Sequence, residues 1–153
     1  MAYTAFISYN TSPDEEVFVY RLQTLAGDSD IRVVLPQRNG SILSDETKRR
    51  IQGADCVLAF LTAKLSAQVR EELAFAQGRE ILIVPIYERG VKLQTLKNKY
   101  NWIQYNPSVD TPGTVEKHVL DLLRKLKKEK DNRDVVLLAL LGIGLLALMS
   151  TKK

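Results

Sequence analysis

The chain has 153 residues, 45% hydrophobic and 26% charged, with a formal net charge of +4. That make-up suits one compact folded domain plus an appendage. A single cysteine, Cys56, excludes both an intrachain disulfide and a thiolate metal cluster.

Ala2 to Tyr9 is apolar and rich in β-branched and aromatic residues, which predicts a buried first strand. Its start lacks the basic region of a secretory signal. Asn10-Thr11-Ser12-Pro13 breaks the strand. Ser12 as N-cap, Pro13 at the first helical position and Asp14-Glu15-Glu16 in the first turn predict a helix to about Leu25, with Gly27 able to end it. Ile31 to Leu35 reads as a second strand, Pro36 to Gly40 as a loop and Ser44 to Ile51 as a second helix. Asp55 to Thr62 is the third strand, with Cys56 a small buried hydrophobe in it. A helix opens at Ser66, a fourth strand covers Glu80 to Tyr87, and a short fifth covers Trp102 to Tyr105. Thr114 to Lys130 is the last helix of the domain, with Val115, Val119, Leu122 and Leu126 on one face. Continuous apolar strands alternating with helices predict an α/β fold: a flavodoxin-like five-stranded parallel sheet with helices on both faces.

The helix opening at Ser66 carries two adjacent carboxylates, Glu71 and Glu72. Val69, Leu73 and Ala76 recur at i, i+4 and i+7 and mark the face turned to the core. Glu72 lies at the edge of that face and Glu71 points away. One glutamate is thus expected half-buried near a strand end, where open α/β sheets bind ligands.

Val135 to Met149 contains no charge. At helical rise its fifteen residues reach about 22 Å against a hydrocarbon core of roughly 30 Å, so the span is short. Bilayer thinning or oligomerisation can absorb the mismatch. Arg124, Lys125, Lys127, Lys128, Lys130 and Arg133 precede the block, and only Lys152 and Lys153 follow it. That asymmetry predicts a cytoplasmic domain at residues 1–131, anchored through a C-terminal apolar helix at 132–153. The cations would lie against anionic lipid rather than nucleic acid.

Several chemistries find no support. GxGxxG and GxxxxGK[ST] are both missing, so neither Rossmann nor P-loop phosphate binding is indicated. The one histidine, His118, sits in the last amphipathic helix, which leaves no catalytic triad. Tyr9-Asn10 and Leu61-Thr62-Ala63 stand where a phospho-receiver needs acidic residues. A flavin or nucleotide binder is disfavoured, because Asn10-Thr11-Ser12 makes a poor phosphate nest. No metal site is expected.

Phe6-Ile7-Ser8-Tyr9 resembles the opening box of TIR (Toll/interleukin-1 receptor) domains. Pro36-Gln37-Arg38-Asn39-Gly40 resembles that family's BB loop, and Ile51 to Leu58 its helix-to-strand stretch. Val69-Arg70-Glu71-Glu72-Leu73 resembles the W-V-x-x-E helix, and Val84-Pro85-Ile86 the fourth strand. The resemblance covers residues 2 to 125 and is of the bacterial single-domain type. It implies NAD+ as substrate rather than cofactor, cleavage of the nicotinamide–ribose bond, and Glu72 as the catalytic carboxylate. It also implies self-association through the domain and a setting in antiphage defence or signalling. A non-enzymatic membrane adaptor that recruits other TIR proteins is the alternative. Gln68 stands where the family pattern has its tryptophan, and no arginine directly follows Tyr9.

The loops at the strand ends supply the remaining candidates. Asn10 and Thr11 can contact ribose or phosphate, and Arg38 can pair with a phosphate. Ser66 can touch substrate or simply cap its helix. Phe6 and Ser8 lie on the first strand, where core packing is the competing role.

Overall fold

Along residues 5–7, 56–61 and 82–84 side chains alternate between two apolar cores, as a sheet covered on both faces requires. The structure is a computed structural model and describes residues 3–10, 12–38, 42–61, 66–88, 103–105 and 112–132. Its elements in chain order are β1 (Tyr3–Ser8), α1 (Pro13–Gly27), β2 (Ile31–Val34), α2 (Asp45–Gln52) and β3 (Cys56–Leu61). There follow α3 (Ala67–Gly78), β4 (Leu82–Glu88), β5 (Ile103–Tyr105) and α4 (Pro112–Asn132). Every strand pair is parallel, and the order is β2-β1-β3-β4-β5. That is the winding of flavodoxin-like sheets, whose ligands lie beyond the carboxyl ends of the strands.

One core joins Ile7, Leu58, Phe60, Val84 and Ile86 to Phe18, Val19 and Leu22 of α1 and to Val119, Leu123 and Leu126 of α4. Phe18 and Phe60 meet edge to face, 4.9 Å between centroids. The other core joins Phe6, Val57, Ala59, Leu61 and Ile83 to Ile51 of α2 and to Val69, Leu73 and Ala76 of α3. Each fully buried Leu, Ile or Phe stabilises the fold by about 1.5–3 kcal/mol. Cys56 is buried and free, and burial pushes its thiol up to about 12.

The helix starts follow their sequence signals. Ser12, Ser44 and Ser66 each cap a helix by accepting the backbone N–H of Glu15, Thr47 and Val69. The first helix ends at Gly27, as its sequence allows, and the N–H groups of Ser29 and Asp30 close on the carbonyls of Ala26 and Gly27. Asp30 follows in the left-handed region, at φ 57°; aspartate tolerates that region better than most residues. One detail differs from expectation. In α4 the fully buried position is Leu123, while Leu122 is only partly buried. The buried stripe follows 115, 119, 123 and 126, which rotates the helix slightly from the predicted face.

The last turns of α4 are tied to the amino-terminal edge of the sheet. Lys130 pairs with Asp55 at 2.8 Å, just before β3, and Lys127 with Asp30 at 3.6 Å, just before β2. Arg124 donates from Nε and Nη2 to Ser29 Oγ at 3.0 and 2.9 Å. The apolar block Val135 to Met149 lies outside the described residues. Among the described residues, no helix is long and apolar enough to cross a membrane.

Candidate functional site

Ser8 ends β1 at the carboxyl edge of the sheet, and strand alternation turns its side chain toward α3, on the same side as Phe6. Glu72 comes up from the second turn of α3 to meet it. The Ser8 hydroxyl donates to Glu72 Oε1 at 2.6 Å, within the range for a charge-assisted bond. Both side chains are fully buried. Glu72 was expected half-buried. It is wholly enclosed because the stripe of Val69, Leu73 and Ala76 presses α3 onto the sheet and carries its edge residue with it. Glu71, one residue earlier, is exposed.

Arg38 completes the group from the loop after β2. Its Nη2 donates to Glu72 Oε1 at 2.9 Å and its Nε to Oε2 at 3.2 Å. The guanidinium also lies over the Tyr9 ring, 5.5 Å from its centroid. The backbone just before Arg38 is fixed by the start of α2. Gln37 donates its N–H to Thr47 Oγ1 at 3.0 Å and accepts from Ser44 Oγ at 2.6 Å. Arg50 Nη1 donates to the Leu35 carbonyl at 2.9 Å. The N-cap of α2 therefore does two things: it starts a helix and it aims Arg38 at the carboxylate.

Burial pushes the Glu72 carboxyl above the ordinary carboxylate range, and Arg38 and then Ser8 pull it part of the way back. A carboxyl perturbed both by burial and by a specific cation is frequent in functional sites.

Asn10 follows β1 shortly after Ser8, Ser66 caps the helix that carries Glu72, and the two are bonded to each other. Asn10 Oδ1 accepts the backbone N–H of Ser66 at 3.0 Å, and the Asn10 N–H donates to Glu15 Oε1 at 2.9 Å. Glu15 Oε2 accepts from Ser12 Oγ at 3.2 Å. The arrangement is a capping box whose glutamate reaches past the cap residue to the end of the strand. It joins the β1–α1 connection to the first turn of α3 and so fixes where Glu72 stands. Phe6 is part of the core under α3 and touches the site only as packing. Thr11, Asn39 and Gly40 lie outside the described residues.

Sequence reasoning missed Tyr9 and Glu15 as parts of the site. The spacing of Ser12 and Glu15 is a legible capping-box signal; nothing in sequence links Tyr9 to Arg38. It also missed Glu116, a fully buried carboxylate of α4 with no hydrogen-bond partner and one ion pair, to Arg21 Nε at 3.4 Å. Among the described residues, no cluster of three or more His, Cys, Asp or Glu could hold a metal ion.

A family model described as TIR domain matches residues 5–138. No curated protein matches the chain. Among solved structures, the Clostridium botulinum CMP N-glycosidase BcmB is similar, with a TM-score of 0.55 and 15% sequence identity. That match covers 78% of this chain and 98% of the other, a likeness of fold.

Proposed function

Because the chain belongs to the TIR domain family, we propose that it cleaves the nicotinamide–ribose bond of NAD+, with Glu72 acting on the ribose. The observation that carries this reading is a fully buried carboxylate at the carboxyl edge of the sheet, held by Ser8 and Arg38. In the reaction the C1′–nitrogen bond breaks and its electron pair neutralises the nicotinamide ring. The sugar passes through an oxocarbenium-like state that a nearby carboxylate stabilises, as in glycoside hydrolysis. Water then attacks C1′ and gives ADP-ribose and a proton; attack by an internal nucleophile gives a cyclised product instead. The similar fold of a protein named as a CMP N-glycosidase supports this class of bond.

The domain at residues 1–131 works on the cytoplasmic face of a membrane, tethered through Val135–Met149, and assembles with copies of itself. Tethering raises local concentration and favours that assembly. Antiphage defence or signalling is the setting the family resemblance suggests.

The test is incubation of the full chain in detergent, and of residues 1–131, with NAD+ at high protein concentration, followed by chromatography of nicotinamide. Glu72→Gln is expected to lower release by about 100-fold or more, the scale of losing a transition-state electrostatic contact. No release by wild type, or equal release by Glu72→Gln, rejects the enzymatic reading. Recovery of the full chain in the soluble fraction without detergent rejects the tether.

A second reading is favoured by Gln68, which lacks the aromatic surface the family pattern places there. In that reading Glu72 and Arg38 are a structural pair, and the protein is an adaptor that binds other TIR domains without turnover.

A further inference from the structure

Arg38 sits on the carboxylate that the proposed reaction needs. Its guanidinium covers both oxygens, at 2.9 Å from Oε1 and 3.2 Å from Oε2, and Ser8 takes a further lone pair of Oε1. A ribose hydroxyl, or a sugar ring gaining positive charge, requires those same oxygens. While the guanidinium stays, the pair carries no net charge and offers little to a developing cation. Taking it away without replacement leaves a buried, unpaired charge, which is strongly unfavourable. An incoming anion removes that penalty on the arginine's side. A phosphate fits the planar fork of a guanidinium as well as a carboxylate does.

The surroundings allow such a move. Gln37 is clamped to Ser44 and Thr47, so the backbone stays while the side chain is free to change partners. The Arg38 side chain is 16% exposed, against 0% for Glu72, so it is the partner with a path to solvent. Tyr9 gives the guanidinium an aromatic face along which to move.

We propose that Arg38 is a specificity-determining residue that exchanges Glu72 for a ligand phosphate, so that the site admits nucleotides with phosphate beside the ribose and excludes the matching nucleosides. The release of Glu72 to act on the sugar rests on the NAD-cleaving reading; the exchange of partners does not.

The test is calorimetric titration of the full chain in detergent with ADP-ribose and, as the phosphate-free probe, adenosine. Arg38→Ala is expected to weaken ADP-ribose binding about 10- to 100-fold, the range of a charge-assisted bond. Arg38→Lys, which keeps the charge without the fork, falls between. Glu72→Gln keeps the shape of the site and frees Arg38 from its carboxylate, so it tightens ADP-ribose binding about 10-fold. Adenosine, which brings no phosphate to take the guanidinium, is expected to bind wild type at least about 10-fold more weakly than ADP-ribose; equal affinity overturns the exchange. In an Arg38→Ala background the tightening disappears. If it persists there, simple charge repulsion by Glu72 is the cause and the exchange is wrong. ADP-ribose affinity unchanged in Arg38→Ala, or no tighter in Glu72→Gln, also overturns it, as does binding by none of the proteins. The expected affinities without nicotinamide release from NAD+ would reject the enzymatic reading and leave the exchange standing.

Discussion

Ser8→Ala isolates what one hydroxyl does for a buried carboxylate. The bond it removes is 2.6 Å long between two fully buried groups, so no water replaces the lost donor. A hydrogen bond to a charged group is worth about 1.5–3 kcal/mol net. For a chain of this length each kcal/mol moves the melting temperature by about 2–4 °C, so the variant should melt about 3–12 °C lower wherever Glu72 is charged. The sign of the pH dependence follows from the raised carboxyl of Glu72. Between the ordinary carboxylate value and that raised value, the folded protein holds a proton that the unfolded chain has released. Stability therefore increases as pH falls through that window. The hydroxyl favours the charged form, so its removal raises the carboxyl further. The penalty of Ser8→Ala is full above the window and shrinks once Glu72 is protonated in both proteins. The assay is thermal denaturation followed by circular dichroism across that range, with the acid limb of the proposed NAD+ cleavage as a second readout; it should move to higher pH in the variant. Equal melting at every pH, or a deficit that does not shrink on acidification, would refute a charged Glu72 held by Ser8.

Glu116→Leu should stabilise the protein. A buried acceptor without a partner costs about 1–3 kcal/mol, and the ion pair it gives up, to an arginine 53% exposed, is worth about 0–1 kcal/mol. The expected gain is about 1–2 kcal/mol near neutral pH by urea unfolding, since desolvation sets the sign. Burial also raises this carboxyl, with Arg21 opposing; the gain should shrink as pH falls and the wild-type group is neutralised. Asn10→Ala removes the bond to the Ser66 N–H and frees the first turn of α3. On the proposed function it should lower kcat for NAD+ by about 10-fold or more, because small displacements of a catalytic group are expensive, while melting falls by only a few degrees. A large loss of melting temperature with kcat preserved would make Asn10 a matter of folding alone. Phe60→Ala should cost about 3–5 kcal/mol, the range for a buried aromatic, and remove the edge-to-face contact with Phe18. Hydrogen exchange that slows anywhere in β3 would contradict it.

The sheet was legible because its information is local. Apolar runs, three serine caps and the position of each turn specify strands and helices before any contact is known. Helical phase alone separated Glu72 from Glu71. The degree of burial was not legible, since it depends on how closely α3 is pressed onto β1. Nor was the convergence of Ser8, Arg38 and Glu72, which come from three segments and meet only through the β2-β1-β3 order. Asn10 was read as a substrate contact and Ser66 as either a contact or a helix cap; Ser66 does cap α3. In the fold they bond to each other, so part of their hydrogen-bonding capacity is already used inside the protein. Glu116 was invisible because a glutamate in an amphipathic helix is ordinarily solvated; only the packing of α4 on α1 encloses it.

The ion pairs at the end of α4 have a consequence for direction. Lys127 and Lys130 fasten that helix to Asp30 and Asp55, which precede β2 and β3. Ser8 and Glu72 meet at the other end of the same strands. A strand of six residues such as β3 is about 20 Å long. The polypeptide therefore leaves Asn132 from the pole of the domain opposite its buried carboxylate. A tether that follows α4, as proposed above, would then hold the domain with Ser8 and Glu72 at its far end.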